Sequence, residues 1–185
     1  MAQLDAQIIS KILAQMNLRV GESALILPAN WQNTEGVKIF VSHHHEEKGV
    51  ARDLAGRLQK YGLQCFVAHT DTKVSKEWEM EIEKALISAD VFVMVNSEHF
   101  DSSFWCQQEA GFALATKAKI IPLDFGCIPK AFVNRYQAMH TKDRNLDEVA
   151  SEILKELWVD PRTEHFSSNQ TPSMPNMPPF PENIS

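Results

Sequence analysis

Short apolar runs alternate with amphipathic stretches along the chain from residue 37 to about residue 157. A strand that is buried on both faces has a nearly continuous apolar run, whereas a surface helix has apolar residues at every third or fourth position. The alternation therefore predicts β-α units wound into a parallel sheet. We expect five strands, at residues 38–42, 64–68, 91–95, 119–123 and, more weakly, 136–139.

The stretches between these runs predict helices at residues 50–61, 77–88, 103–116 and, after the last strand, 146–157. In the first of them, Val50, Leu54, Leu58 and Tyr61 form an apolar stripe, and Gly62 is placed to end the helix. The predicted fold class is α/β, a parallel sheet with helices on both faces.

The two ends of the chain differ from this central part. Apolar residues recur at helical spacing from Leu4 to Met16, which predicts an amphipathic helix ending near Gly21. Its apolar face either caps the main domain or mediates self-association. Six of the nine prolines fall between Pro161 and Pro181, in a stretch that cannot form a core. We expect an N-terminal helix and linker (1–36), a main domain (37–160) and a disordered Pro-rich tail (161–185), with a polyproline-type ligand role as the alternative for the tail.

The composition excludes several classes of protein. A hydrophobic share of 44% in 185 residues suits one domain of ordinary size, and a net charge of −6 argues against nucleic acid as a partner. No signal peptide and no apolar stretch of about 20 residues is present, so we expect neither secretion nor a membrane partner. Cys65, Cys106 and Cys127 are widely separated and odd in number, which fits a reducing cytoplasm better than a disulfide framework.

Motifs for common cofactors are absent from the sequence. The chain has seven glycines, and they form neither a dinucleotide-binding G-x-G-x-x-G nor a P-loop, and no G-x-S-x-G elbow occurs. His43, His44 and His45 suggest a metal, but adjacent residues at a strand end cannot all face one ion, and no matching ligand spacing accompanies them. We therefore expect no cofactor and no metal at this run.

Trp105 and Glu109 lie four residues apart near the start of a predicted helix, and this spacing places both on one helix face. The helix follows the strand at 91–95, whose carboxyl end belongs to the edge where open α/β sheets bind ligands. Glu109 is therefore the leading candidate for catalysis, although a glutamate in a helix is most often a solvated surface charge. Trp78, just after the polar loop from Thr70 to Lys76, either packs in the core or offers a flat surface to an aromatic ligand.

Several ordered blocks over residues 37–157 together resemble a TIR (Toll/interleukin-1 receptor) domain of the bacterial, NAD-cleaving kind. These blocks are KIFVSHHH from Lys38, GLQCFVAHTD from Gly62, WEMEIEKAL from Trp78, DVFVMVNS from Asp90 and, as the most specific, WCQQE from Trp105. The resemblance implies a flavodoxin-like five-stranded sheet. In many members it also implies cleavage of NAD at the nicotinamide-ribose bond, with the catalytic glutamate at Glu109.

The resemblance also implies substrate contacts. Trp105 and Trp78 would pack against the nicotinamide or the adjacent ribose, and His43 and His44 would face the ribose and phosphates, with Ser97 close by. Some relatives carry arginines at the histidine positions, so we expect phosphate binding here to be weaker or pH-dependent.

The loop from Thr70 to Lys76 often contacts a neighbouring domain in this family and completes the active site. Asp71 in this loop is a further candidate substrate contact. The expected partners are therefore NAD+ and a second TIR domain, either another copy of this chain or a different protein.

The chemistry of NAD makes one carboxylate sufficient. Nicotinamide leaves as a neutral molecule and needs no general acid, while the positive charge that grows on the ribose is stabilised by an ionised glutamate. The same glutamate could instead hold the ribose hydroxyls or capture the sugar. We also expect the helix dipole to favour the ionised form of Glu109.

The leading hypothesis is an NAD+ nucleosidase that releases ADP-ribose or a cyclic isomer of it, as a signal in bacterial defence against phage. The alternatives are a non-enzymatic TIR interaction module, as in signalling adaptors, and an enzyme like the nucleoside deoxyribosyltransferases.

Overall fold

The computed structural model describes residues 27–28, 31, 36–68, 76–141, 144–160 and 163. The predicted N-terminal helix, the Pro-rich tail apart from Thr163, and the loop from Thr70 to Lys76 apart from Lys76, lie outside the described residues. What the sequence suggests for them stays a prediction.

In the described part of the chain, the strands form one parallel sheet of five in the order β2-β1-β3-β4-β5. They are β1 Lys38–Ser42, β2 Gln64–Val67, β3 Val91–Asn96, β4 Lys119–Asp124 and β5 Met139–His140. The first four predicted strands are confirmed to within one residue. The predicted bounds of the fifth are wrong, because Tyr136 follows a 3-10 helix, Ala131–Arg135, and its N–H bonds to the carbonyl of Val133 instead of a neighbouring strand.

The α-helices are α1 Lys48–Gln59, α2 Lys76–Ser88, α3 Glu98–Ser102, α4 Phe104–Thr116 and α5 Leu146–Val159. Helix α1 begins and ends two residues earlier than predicted, and Gly62, with φ of +80°, lies in the turn that follows it. Helix α3 was not predicted. It exists because the Ser97 side chain accepts a hydrogen bond from the N–H of Phe100 and the Phe100 ring is fully buried. None of the helices in the described part of the chain has the length and apolar character that crossing a membrane requires.

Two apolar layers cover the sheet. Helices α1 and α5 pack against one face, and α2 and α4 pack against the other. On the second face three phenylalanines from adjacent strands stand in register, with Phe40 stacked between Phe66 and Phe92 at centroid distances of 5.4 and 5.7 Å. This aromatic row is the floor on which α2 and α4 lie.

The neighbouring strands β1 and β3 send the chain to opposite faces of the sheet. After β1 the chain enters α1 on one face, and after β3 it enters α3 and α4 on the other. Connections that diverge at the carboxyl ends of adjacent parallel strands leave a crevice between them, which is where open α/β folds bind ligands. The candidate site presented below lies at this crevice.

Candidate active site

The centre of the site is a carboxylate buried against the end of β1. Glu109, in the second turn of α4, is only 2% exposed, and its Oε2 accepts a 2.5 Å hydrogen bond from the hydroxyl of Ser42. Its other oxygen, Oε1, is buried and has no hydrogen-bond partner among the described residues. A buried oxygen without a donor costs free energy, so Glu109 offers a ready acceptor to a ligand that enters here.

Burial raises the pKa of Glu109 from its ordinary value to about 7, and the Ser42 hydrogen bond opposes part of that rise. Burial therefore outweighs any preference of the helix dipole for the ionised carboxylate, and the dipole's own contribution stays a prediction. Dipole effects fall off within the first turn of a helix, whereas Glu109 lies in the second turn and is removed from water.

Trp105 precedes Glu109 by one turn of the same helix and is 41% exposed. On the helix face that carries both residues, the indole is therefore exposed to solvent and the carboxylate is buried. The structure confirms that the two residues share an element at the crevice. The contact of Trp105 with a ligand stays a prediction.

Cys106 and Asn96 also line the interior at this edge. Burial raises the pKa of the Cys106 thiol to about 12, so this cysteine is uncharged at neutral pH and is a poor nucleophile. Asn96, the last residue of β3, donates from Nδ2 to the carbonyl of Cys127 at 2.6 Å, and its Oδ1 is buried with no hydrogen-bond partner among the described residues. Two side-chain acceptors, from Glu109 and Asn96, are thus available in the interior.

The three consecutive histidines differ in burial, although the ring centroids of His44 and His45 lie 4.0 Å apart. His43 is fully buried, with Nδ1 3.4 Å from the carbonyl of Val41, whereas His44 is partly exposed and His45 is exposed. Burial lowers the pKa of His44, with a further lowering from the neighbouring His45. His44 is therefore largely neutral at pH 7, which agrees with the sequence-based expectation of weak electrostatic attraction for phosphate. Ligand contacts by His43 and His44 stay predictions.

The other predicted contacts have the following positions. Ser97 directly follows β3 and is nearly buried, but its hydroxyl caps α3. Trp78 stacks on Phe66 at 5.7 Å, so at least one face of its ring packs on the aromatic row. Asp71 lies outside the described residues.

Four residues of this edge were not selected from the sequence, namely Ser42, Glu47, Asn96 and His99. Ser42 and Asn96 could have been selected from the sequence, because each is a polar residue at the end of a largely apolar strand. Glu47 and His99 could not, because they come from a 3-10 helix, His45–Glu47, and from the short helix α3, and only the fold brings them together.

A shallow groove of about 430 Å³ lies elsewhere, between the end of α1 and the beginning of α5. Its one arginine, Arg144, already pairs with Glu148 and Glu152. All of its lining residues are at least partly exposed, so it holds no buried carboxylate comparable to Glu109.

A family model described as TIR domain matches residues 39–154. Similar curated proteins include the probable 2' cyclic ADP-D-ribose synthase TcpB of Brucella abortus (strain 2308), 25% identical over 137 residues, which is 68% of this chain and 54% of that protein. The protein of the same name from Brucella melitensis biotype 1 is 24% identical over 137 residues. The chain thus spans about half the length of the curated relatives it matches.

Solved structures with the same fold include the TIR domain of the Toll-related receptor TRR-2 from Hydra magnipapillata. Its TM-score is 0.53 at 20% identity, and the match covers 65% of this chain and 96% of that one. A metazoan TIR-STING receptor from C. gigas matches with a TM-score of 0.50 at 16% identity, over 69% of this chain and 43% of the other. These likenesses confirm the predicted sheet architecture.

Proposed function

Because the chain belongs to the TIR domain family, we propose that it cleaves NAD+ at the nicotinamide-ribose bond, with Glu109 as its catalytic carboxylate. The observation that carries the proposal is the buried Glu109 carboxylate, which is held by Ser42 through one oxygen and lacks a partner on the other. The names of the Brucella relatives, which describe a cyclic ADP-D-ribose synthase, support the same substrate class.

The reaction begins with the cationic nicotinamide ring beside Glu109. An opposite charge close to a carboxylate favours its ionised form, so bound substrate lowers the pKa of Glu109 from its value of about 7 in the free protein. The substrate itself thus generates the charged form that the chemistry needs.

Bond cleavage then transfers charge from the ring to the sugar. The glycosidic C–N bond breaks, its electron pair goes to the ring nitrogen, and nicotinamide leaves neutral while the anomeric carbon becomes an oxocarbenium-like cation. An ionised Glu109 stabilises this cation strongly because a buried site screens charge less than water does. Glu109 either stabilises the cation through space or bonds to it briefly, and both roles require the unprotonated form.

The second step adds a nucleophile and releases a proton. Water gives ADP-ribose, whereas a hydroxyl of the same dinucleotide gives a cyclic isomer. Glu109 is only 2% exposed, and a site that excludes water disfavours hydrolysis. We therefore propose that a cyclic isomer forms a substantial share of the product.

The proposal includes assembly. The loop from Thr70 to Lys76 is proposed to contact a second TIR domain and to complete the substrate site. Activity is therefore expected to increase with protein concentration or with a crowding agent. A signalling role of the product in defence against phage is an expectation from the resemblance, and the enzymatic proposal does not depend on it.

The test is mass spectrometry of the products after the purified chain is incubated with NAD+, at low and high protein concentration. We expect nicotinamide together with ADP-ribose or a cyclic isomer, and we expect Glu109→Gln to reduce nicotinamide release at least about a hundredfold, as loss of a main electrostatic group does. The matched control is Glu98→Gln, which removes an exposed carboxylate from α3.

Circular dichroism spectra identical to that of the wild type establish that both variants are folded. Equal turnover by the Glu109→Gln variant would disprove the assigned role. No cleavage by the wild type under any assembly condition, together with co-purification of a TIR partner, would favour the interaction module instead.

A further inference from the structure

A second cluster of ligand-type side chains lies at the same edge of the sheet, outside the Glu109 site. His44, Glu47 and His99 each offer one ligand atom, and these atoms lie within 4.8 Å of one another. His44 follows β1, Glu47 ends the 3-10 helix, and His99 comes from α3 after the neighbouring strand β3. We propose that these three side chains bind one divalent transition-metal ion of the zinc class.

The first reason is the environment of Glu47. Its Oε2 is buried, has no hydrogen-bond partner among the described residues, and lies 3.9 Å from Nδ1 of His44. That nitrogen accepts only a long hydrogen bond of 3.4 Å, from the N–H of Glu46, which an ion would have to replace. A buried carboxylate oxygen without a donor, beside a weakly engaged imidazole nitrogen, is an arrangement that a cation satisfies.

The third ligand is close enough to join them. Nδ1 of His99 lies 3.0 Å from Oε1 of Glu47, and the rings of His99 and His44 stack at a centroid distance of 5.2 Å with an interplanar angle of 21°. In a tetrahedral zinc site, with bonds of about 2.0–2.1 Å, neighbouring ligand atoms lie about 3.4 Å apart. The distance from His99 is 3.0 Å to Oε1 of Glu47 and that from His44 is 3.9 Å to Oε2, so each imidazole lies near this spacing from a different oxygen of one carboxylate. The side chain of His99 is 57% exposed, so it has room to turn toward an ion.

The donor set indicates the class of ion. Two imidazoles and one carboxylate are the protein ligands of zinc sites that keep a fourth position open for water or substrate. Magnesium and calcium prefer oxygen ligands and are poorly served by two histidines.

His43 and His45 take no part in this cluster, so it is not the run of three adjacent histidines that the sequence excludes as a metal site. The other two ligands are Glu47, three residues after His44, and His99, which the fold brings from a distant part of the chain. His44 is also a predicted substrate contact, so zinc binding is measured without NAD+, and its result then stands or falls apart from NAD cleavage.

The experiment is a zinc titration of the full chain, freed of metal by dialysis against a chelator, in competition with a chromophoric chelator. We expect one ion per chain, and at least a tenfold weaker affinity in each of His44→Ala, Glu47→Gln and His99→Ala. The controls are His45→Ala, which shortens the histidine run, and His140→Ala, which removes an exposed histidine near Asp124. Both should bind zinc within about threefold of the wild type.

Three results would overturn the proposal. These are zinc affinity unchanged by His99→Ala, dependence on His45 in place of His99, and displacement of zinc by a tenfold excess of Mg²⁺. A second measurement avoids dependence on how the variants fold. Co²⁺ added to the wild-type chain should give the visible absorption of a tetrahedral ion with nitrogen and oxygen ligands, and an octahedral spectrum equal to that of cobalt in buffer would contradict the site.

Discussion

The hydroxyl of Ser42 donates a 2.5 Å hydrogen bond to Oε2 of Glu109, across 67 positions of sequence. Ser42 ends β1 and Glu109 lies in the second turn of α4, so the bond joins the sheet to the helix at the crevice. The hydrogen bond favours the ionised carboxylate, while burial favours the protonated one. Ser42 is therefore a positioning residue that also influences the charge of Glu109.

Replacing Ser42 by alanine should reduce NAD cleavage at pH 7 about tenfold. The reason is that a hydrogen bond to a charged group contributes about 1.5–3 kcal/mol, and its loss raises the pKa of Glu109 further. Because the carboxylate itself remains, the activity should recover as the pH is raised to 9, which a pH profile of kcat/KM measures. Ser88→Ala removes a partly buried hydroxyl hydrogen bond at the end of α2 and should leave the profile unchanged. A uniform loss of activity at every pH would assign Ser42 a structural role alone.

The wild-type pH profile should rise through pH 7, because Glu109 must lose its proton and its pKa in the free protein is about 7. This limb should appear in kcat/KM, which reports the free enzyme. In kcat, which reports the complex, the limb should lie at lower pH because the cationic nicotinamide ring favours the ionised carboxylate. Coincident limbs in the two profiles would show that the substrate cation does not lie beside Glu109.

Replacing Glu109 by glutamine should stabilise the fold at alkaline pH. The folded protein keeps the Glu109 proton up to a pH of about 7, whereas the unfolded chain loses it near its ordinary value, so the native state loses stability as the pH rises between these values. The variant avoids this cost and should gain about 2–3 kcal/mol in the free energy of unfolding at pH 8, but less than about 1 kcal/mol at pH 5. Denaturant melts at both values measure the difference. A gain that is equal at pH 5 and pH 8 would contradict the buried, titrating carboxylate.

Alanine substitutions of Trp78 and Trp105 should have different effects, because Trp78 packs on the core and Trp105 is a predicted substrate contact. Trp78 stacks on Phe66, so Trp78→Ala should cost about 1–3 kcal/mol of stability. Trp105 is 41% exposed, so Trp105→Ala should cost less than about 1 kcal/mol and instead raise KM for NAD+ several-fold. Thermal melts and steady-state kinetics on both variants test this. An unchanged KM in the Trp105 variant would remove that residue from the substrate site.

Within the described residues, the sequence by itself determined four of the five strands and four of the five α-helices. A buried parallel strand is almost continuously apolar, and a surface helix repeats its apolar residues at helical spacing, whereas the five-residue helix α3 is too short to show such a repeat. The sequence also singled out Glu109, since an indole and a carboxylate one turn apart after a buried strand form a local pattern. The short strand β5, Met139–His140, is too brief for such a pattern to mark its bounds.

Only the tertiary structure decided the surroundings of that glutamate. Its burial, its bond to Ser42 and its raised pKa depend on a strand and a helix that meet across 67 residues, and the sum of desolvation and hydrogen bonding cannot be obtained from spacing within one helix. The meeting of His44, Glu47 and His99 has the same origin, because the ends of two neighbouring parallel strands bring distant loops to one edge of the sheet.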